Sequence, residues 1–371
     1  MQVFRRGDTG PAVDEVRATL TALGLLSEAG SSFDAATDRA VRTFQQRRGV
    51  TVDGAVGPET YAALQAARLS LGDRILLHVP GRMLGGDDVG MLQERLLELG
   101  FDAGRVDSLF GPRTEQALTG FQREYGLVSD GVCGPSTLRA LRQLGRLVTG
   151  GRPQAMRESE VLHRSGVSLA GKVVVVDPGH GGTDRGATGH GLEEASLAMD
   201  LAARLEGRLT AVGVQTLLTR GPDSCPPDQD RAALANEARA DLVLSLHVDR
   251  TTSPDCHGVA TYHYGTGSGT TSTVGEQLAG LVQRELVART DLLDCRTHAK
   301  SWNLLRLTAM PAVRVELGHV SNPGDAARLS DPAFRDTVAE ALLVAVQRLY
   351  LPVDLDPPTG VLRLPDLAHL A

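Results

Sequence analysis

The feature that most constrains this chain is a repeat within its first 145 residues. Val13, Val16, Leu20 and Leu23-Gly24 recur as Val89, Leu92, Leu96 and Leu99-Gly100, and Phe44-Gln45 recurs as Phe121-Gln122. Asp53-Gly54-x-x-Gly57-Pro58-x-Thr60 likewise returns as Asp130-Gly131-x-x-Gly134-Pro135-x-Thr137, an offset of 76 to 77 residues throughout. A period this long denotes a duplicated small domain rather than a solenoid unit. Apolar residues three and four apart mark helices, which Gly24 and Gly100 close. Gly-Pro opens others at Gly57-Pro58, Gly111-Pro112 and Gly134-Pro135, because proline at a first helical position forfeits no hydrogen bond. Two all-α modules of about three short helices each are expected, over residues 1–70 and 80–146.

The remaining chain needs a different architecture. At 371 residues the whole is too long for one ordinary domain. Aromatic residues are only 4%, so the cores must be built from Leu, Val and Ala. A net charge of −7 argues against nucleic acid or an anionic membrane as the main partner. Cys133, Cys225, Cys256 and Cys295 form no CxxC pair; they read as reduced thiols, with a Cys256–Cys295 bridge left open. No apolar run approaches the roughly 18 residues of a membrane span. No apolar segment follows Arg5-Arg6 as a leader would require, so a cytoplasmic location is expected. A wall location would need a true start upstream of Met1.

Residues 147–168, with Gly150-Gly151-Arg152-Pro153, read as a linker. Beyond them β-branched runs alternate with amphipathic stretches. Strands are expected at Val173–Val176, Val214–Thr219, Asp241–Leu246, Val259–Tyr264 and Ala312–Leu317. Helices are expected at Glu194–Val212, Arg231–Arg239, Val274–Arg289 and Phe334–Leu349. This alternation predicts an α/β domain over residues 169–351, three-layered αβα with a mainly parallel sheet. Residues 352–371 read as a mobile tail.

In open α/β sheets functional groups gather beyond the carboxyl ends of the strands. His180, His247 and Glu316 each stand at such an end, and Glu194 opens the first helix beside them. Two imidazoles and a carboxylate make a His₂Glu metal shell with one open position, the pattern of a catalytic zinc. Glu193 competes with Glu194, since either could be a solvated helix-start charge; register with Leu201 and Leu205 favours Glu194. His190, His257, His263, His298 and His319 read as ordinary surface or loop histidines, and Tyr262 and Trp302 as packing or rim residues.

Four ordered motifs carry a resemblance to the zinc-dependent N-acetylmuramoyl-L-alanine amidases. They are Asp177-Pro178-Gly179-His180-Gly181-Gly182, Glu194, the segment from Arg231 to Ser245-Leu246-His247, and Pro311–Gly318 followed by Ser321-Asn322. The resemblance implies Zn2+ held by His180, Glu194 and His247, with Glu316 as the catalytic acid that accepts a proton from water and passes it to the leaving amine. The implied target is the amide between N-acetylmuramic acid and L-alanine. His319 and Asp249 stand where the family has an aromatic residue and Asn. The FQ, DG and GPxT elements of the repeats resemble the peptidoglycan-binding module of wall hydrolases, which would hold peptidoglycan or its muropeptide fragments.

A second reading comes from the missing leader and from Thr359 in the segment Asp354–Gly360. The arrangement also resembles actinobacterial amidase-like proteins that regulate peptidoglycan precursor synthesis from the cytoplasm. That resemblance implies little or no turnover, an enolpyruvyl transferase as partner, and a Ser/Thr kinase that phosphorylates the exposed tail.

Overall fold

The computed structural model describes residues 3–27, 30–144, 153–266, 271–352, 356 and 358–362. It divides into two compact units, Met1–Arg157 with Thr266–Thr270, and Glu158–Gly265 with Thr271–Ala371.

The first unit holds the repeat. Helices α1 (Pro11–Ala22), α2 (Ala35–Arg48) and α3 (Pro58–Ala67) form one module. The short strand β1 (Leu84–Gly85), α4 (Asp87–Glu98), β2 (Leu109–Phe110), α5 (Pro112–Glu124) and α6 (Pro135–Leu144) form the other. Three helices per module agree with the sequence, and the Gly-Pro pairs open α3, α5 and α6. The modules are not purely helical, because β1 pairs antiparallel with β2. Single bridges do similar work between Phe4 and Val56 and between Leu76 and Cys133.

The recurring Gln explains the motif. Buried Gln45 donates to Asp53, to the Ala55 carbonyl and to Thr60, and accepts from the Gly54 amide. Gln122 repeats this with Asp130, the Val132 carbonyl, Thr137 and the Gly131 amide. One side chain thus ties the Asp-Gly turn to the start of the next helix. Gln93 builds a third copy with Asp107, Leu109, Thr114 and the Ser108 amide.

Helix α7 (Pro153–Arg164) begins in the first unit, ends in the second, and lies within the stretch read as a linker. After it come β3 (Val173–Pro178), β4 (Thr188–Gly189), β5 (Leu192–Glu193), α8 (Glu194–Ala211), β6 (Gln215–Leu218) and α9 (Asp228–Glu237). Then follow β7 (Leu242–Asp249), β8 (Val259–Tyr264), α10 (Thr273–Thr290), β9 (Asp294–Lys300), α11 (Asn303–Leu307), β10 (Ala312–His319), α12 (Pro323–Ser330) and α13 (Pro332–Tyr350). Six strands form one sheet in the order β6-β3-β7-β10-β8-β9. β6, β3, β7 and β10 run parallel; β8 joins β10 antiparallel, with β9 parallel to β8.

Apolar residues of α8, α10 and α13 pack with Val174, Val176, Leu244, Leu246, Val313 and Val315 on one face of the sheet. A smaller cluster on the other face joins Val175 and Val243 to Ala235 of α9 and Leu305 of α11. The α/β domain is therefore a three-layer αβα sandwich with a mainly parallel sheet. Among the described residues no helix is long and apolar enough to cross a membrane, and all four cysteines are free thiols.

The tail needs correction where it is described. Arg348 pairs with Asp356 and donates to Thr359 Oγ1 at 3.0 Å, the Gly360 amide donates to Glu285, and Arg289 donates to the Leu362 carbonyl. Thr359 is half-buried against Arg348 rather than exposed. Residues 353–355, 357 and 363–371 of the expected tail lie outside the described residues.

The glutamine ties give a test. Replacing Gln122 by Leu leaves the Gly131 amide without its partner and removes a donor from Asp130, and should destabilise the second module by about 1–3 kcal/mol. Urea denaturation of wild type and variant checks this; an unchanged midpoint would remove the glutamine from the account.

Candidate active site

The site follows from strand register. Across the parallel strands Asp177 lies beside Ser245, and Ser245 beside Arg314. Arg314 in turn lies beside Tyr262, and Tyr262 beside His298. One step toward the carboxyl ends, Glu316 pairs with His247, and the Gly179 amide donates to the neighbouring Leu246 carbonyl. Cross-strand partners point to the same face of a sheet. Two adjacent rows of polar residues therefore share one face, and adjacent strands are spaced at about 4.8 Å.

The inner row is structural. Asp177 is 1% exposed, and its carboxylate accepts from Thr219 (2.5 Å), Ser245 (2.6 Å) and Arg231 (2.7 Å). Burial alone would raise Asp177, but the Arg231 charge and the two hydroxyls outweigh it and hold the carboxyl below its ordinary range. Arg231 also donates to the carbonyls of Pro178 (2.8 Å) and His180 (2.9 Å). Arg220 donates to those of Pro178 (2.8 Å) and Gly179 (2.9 Å). Two buried guanidiniums thus grip the loop that presents His180.

Glycine is required where that loop passes the side chains. A Cβ on Gly179 would sit 2.3 Å from the His247 ring, and one on Gly186 would sit 2.5 Å from Glu194 Oε2. His180 itself adopts φ 55°, a left-handed conformation that the arginine-held carbonyls support.

The outer row and α8 bring three expected residues together. Ligand atoms of His180, Glu194 and His247 all lie within 4.8 Å of one another. Glu194 Oε1 is 2.8 Å from His247 Nδ1, and Oε2 is 3.2 Å from His180 Nε2. The amides of Val248 and Ala187 also donate to the Glu194 carboxylate. Glu193 instead pairs with Arg185 at the surface, which decides between the two acids. Asp184 Oδ2 engages His180 Nδ1 at 2.8 Å and leaves Nε2 facing Glu194. Such an outer carboxylate orients a metal-ligating imidazole.

Hydrogen bonds to Glu194 and Asp184 push His180 up to about 9. Burial alone would raise Glu194, but hydrogen bonds from His180 and His247 outweigh it and hold the carboxyl well below its usual range. The field that favours a proton between these groups equally favours a metal cation. A His-Glu-His donor set of this spacing, with room for a fourth ligand, fits zinc.

Glu316 lies beside His247 in the outer row and is 8% exposed. Its Oε1 accepts from Arg314 Nε at 2.8 Å and Nη2 at 2.6 Å, while Oε2 is buried with no hydrogen-bond partner among the described residues. The Arg314 guanidinium also lies 4.7 Å from the centre of the Trp302 ring. Asp177, His180, His247, Trp302 and Arg314 line a cavity of about 380 Å³. His319 and Asp249 close one end of the β7–β10 pair, with His319 Nδ1 3.8 Å from Asp249 Oδ2.

Sequence reasoning missed Arg220, Asp184 and Arg314. Among the described residues Arg220 bonds to carbonyls and to a sulfur, so no patterned partner could reveal it. Asp184 sits in a loop. Arg314 carried one signal, a cation two residues before Glu316 within an otherwise apolar strand, where alternation puts both on one face.

Residues 174–348 match the family model described as N-acetylmuramoyl-L-alanine amidase, and residues 9–64 and 85–141 match that of a peptidoglycan binding domain. The chain is 49% identical over 382 residues to the N-acetylmuramoyl-L-alanine amidase CwlM of Mycobacterium tuberculosis, covering 99% of this chain and 94% of that protein. It is 32% identical over 174 residues to the amidase LytC of Bacillus subtilis, covering 47% of this chain and 34% of LytC. Among solved structures it is similar to the amidase AmiC2 of Nostoc punctiforme, with 30% identity, a TM-score of 0.44, and coverage of 48% of this chain and 96% of that one.

The grip on the His180 loop is testable. Arg231→Met strands a buried carboxylate at Asp177, and should cost about 3–5 kcal/mol of stability in the second unit. Thermal denaturation of the purified variant would read this, and a shift within error of zero would show that Asp177 is satisfied without Arg231.

Proposed function

The chain belongs to the N-acetylmuramoyl-L-alanine amidase family, and we infer that it hydrolyses the amide between N-acetylmuramic acid and L-alanine of peptidoglycan through a zinc centre at His180, Glu194 and His247. The observation that carries this reading is the convergence of those three side chains, drawn from the loop after β3, from α8 and from β7, beside the buried acid Glu316. Bound zinc would supply Lewis acidity, activating water and polarising the scissile carbonyl.

The chain's own groups do the rest. Asp184 orients the His180 ring, and the Ala187 and Val248 amides orient the Glu194 carboxylate. Glu316 Oε2, without a hydrogen-bond partner among the described residues, accepts the proton of the attacking water and delivers it to the departing alanine nitrogen. The N-terminal modules hold peptidoglycan and raise the local concentration of scissile bonds.

One observation favours a second reading, an amidase-like regulator of precursor synthesis with little turnover. Arg314 occupies Glu316 Oε1 with two hydrogen bonds, which ties down the acid the reaction needs.

Metal content and muropeptide release separate the two readings. Wild type should carry about one zinc per chain and release stem peptides from peptidoglycan. Glu316→Gln should keep the metal and lose at least about 100-fold in rate. His247→Ala should lose both metal and activity. Zinc bound at full occupancy with no Glu316-dependent release would leave the regulator.

A further inference from the structure

Arg314 is placed unlike any other cation in the site. It belongs to the inner, structural row beside Ser245 and Tyr262, yet its guanidinium reaches sideways to Glu316 in the outer row. Both of its hydrogen bonds fall on one oxygen, Oε1. A guanidinium fork is matched to a carboxylate when it engages both oxygens, so this side-on grip uses only part of what the group offers. Its plane is held over Trp302, which contacts Tyr262 with ring centres 4.7 Å apart. Lys300 Nζ lies 5.6 Å from the same indole. Arg314 and Trp302 face the cavity directly. A positively charged, aromatic-backed wall therefore stands beside Glu316 in the cavity that His180 also lines.

We propose that Arg314 is the specificity-determining residue of this site: it binds a carboxylate on the peptide side of the substrate, and in turning to that carboxylate it releases Glu316. This deepens the amidase reading and rests on it. The exchange balances in charge, since one carboxylate replaces another on the same guanidinium and no proton moves. Glu316, once released, has both oxygens available to water and to the leaving amine. A substrate without the carboxylate leaves Arg314 on Glu316, and the acid stays tethered. Recognition of the correct peptide and readiness of the catalytic acid become one event.

The chain contains a single tryptophan, Trp302, so intrinsic fluorescence reports on the indole against which Arg314 rests. The probes are N-acetylmuramoyl-L-alanyl-D-glutamate and the same compound with both glutamate carboxyls amidated, titrated into the full chain with zinc supplied. Glu316→Gln serves as the non-hydrolysing background. The acid should bind at least about tenfold more tightly than the diamide and change the Trp302 emission.

Arg314→Leu should bring the two affinities within about twofold of each other; Arg314→Lys, which keeps charge without the fork, should restore part of the preference. Should Arg314→Leu fail to fold with Glu316 unpaired, Arg314→Leu combined with Glu316→Gln removes both charges and reports the same binding ratio. In steady-state hydrolysis the acid should be favoured in kcat as well as in KM, because the carboxylate also frees the acid. Equal binding of acid and diamide by the Glu316→Gln chain, or a preference that survives in Arg314→Leu, would overturn the proposal. Selective binding without hydrolysis by the wild-type chain would leave Arg314 as the carboxylate reader and remove the amidase reading instead.

Discussion

A carboxylate with 1% of its surface exposed must be paired on both oxygens or it forces its surroundings to rearrange, and Asp177 meets that demand with Thr219, Ser245 and Arg231. The consequence reaches beyond one charge. Arg231, fixed by Asp177, has its remaining donors aimed at the carbonyls of Pro178 and His180, and Arg220 adds its own to Pro178 and Gly179. The loop after β3 would otherwise leave buried carbonyls without donors. Held this way, it tolerates a left-handed His180 and lets Gly179 pass against the His247 ring. The geometry of the His180, Glu194 and His247 cluster is thus set by the inner row.

That order explains what could be read from residues alone. His180, His247 and Glu316 were legible because each ends a hydrophobic strand, and parallel pairing brings strand ends together whatever the intervening sequence. Glu194 was legible from helical register, and its burial against His247 separates it from Glu193 at the surface. Arg220 was not legible, because its principal partners are backbone carbonyls, which every sequence possesses. Strand β9 escaped notice for a related reason. Asp-Cys-Arg-Thr-His-Ala-Lys lies at the sheet edge, where burial imposes only a weak apolar alternation. The described part of the tail looked mobile because it is rich in proline and charge, yet Arg348 and Glu285 are buried and, among the described residues, find partners in Asp356, Thr359 and Gly360 besides each other and Arg289.

The repeats show the same logic in simpler form. What recurs at 76 to 77 residues is the apolar core together with one polar side chain that closes a turn. Gln45 and Gln122 each satisfy the turn and the start of the next helix, so Asp-Gly and Gly-Pro-x-Thr must travel with the glutamine. A motif of this kind is conspicuous because its parts bond to one another. The grip on the His180 loop is hidden because its parts bond mostly to the main chain.

The two polar rows of the second unit serve different ends, and Arg314 joins them. A cation in the inner row could have been satisfied locally, as Arg231 is by Asp177. Arg314 instead rests on Trp302 and holds Glu316 by a single oxygen, and the other oxygen is buried with no partner among the described residues. An unpaired buried acceptor costs about 1–3 kcal/mol, a cost the structure bears beside the His180, Glu194 and His247 cluster. Full pairing by the guanidinium would have been more stable and chemically inert. The half-made pair holds Glu316 by one oxygen and leaves the other without a donor among the described residues, which is the tether that the proposed exchange of carboxylates would release.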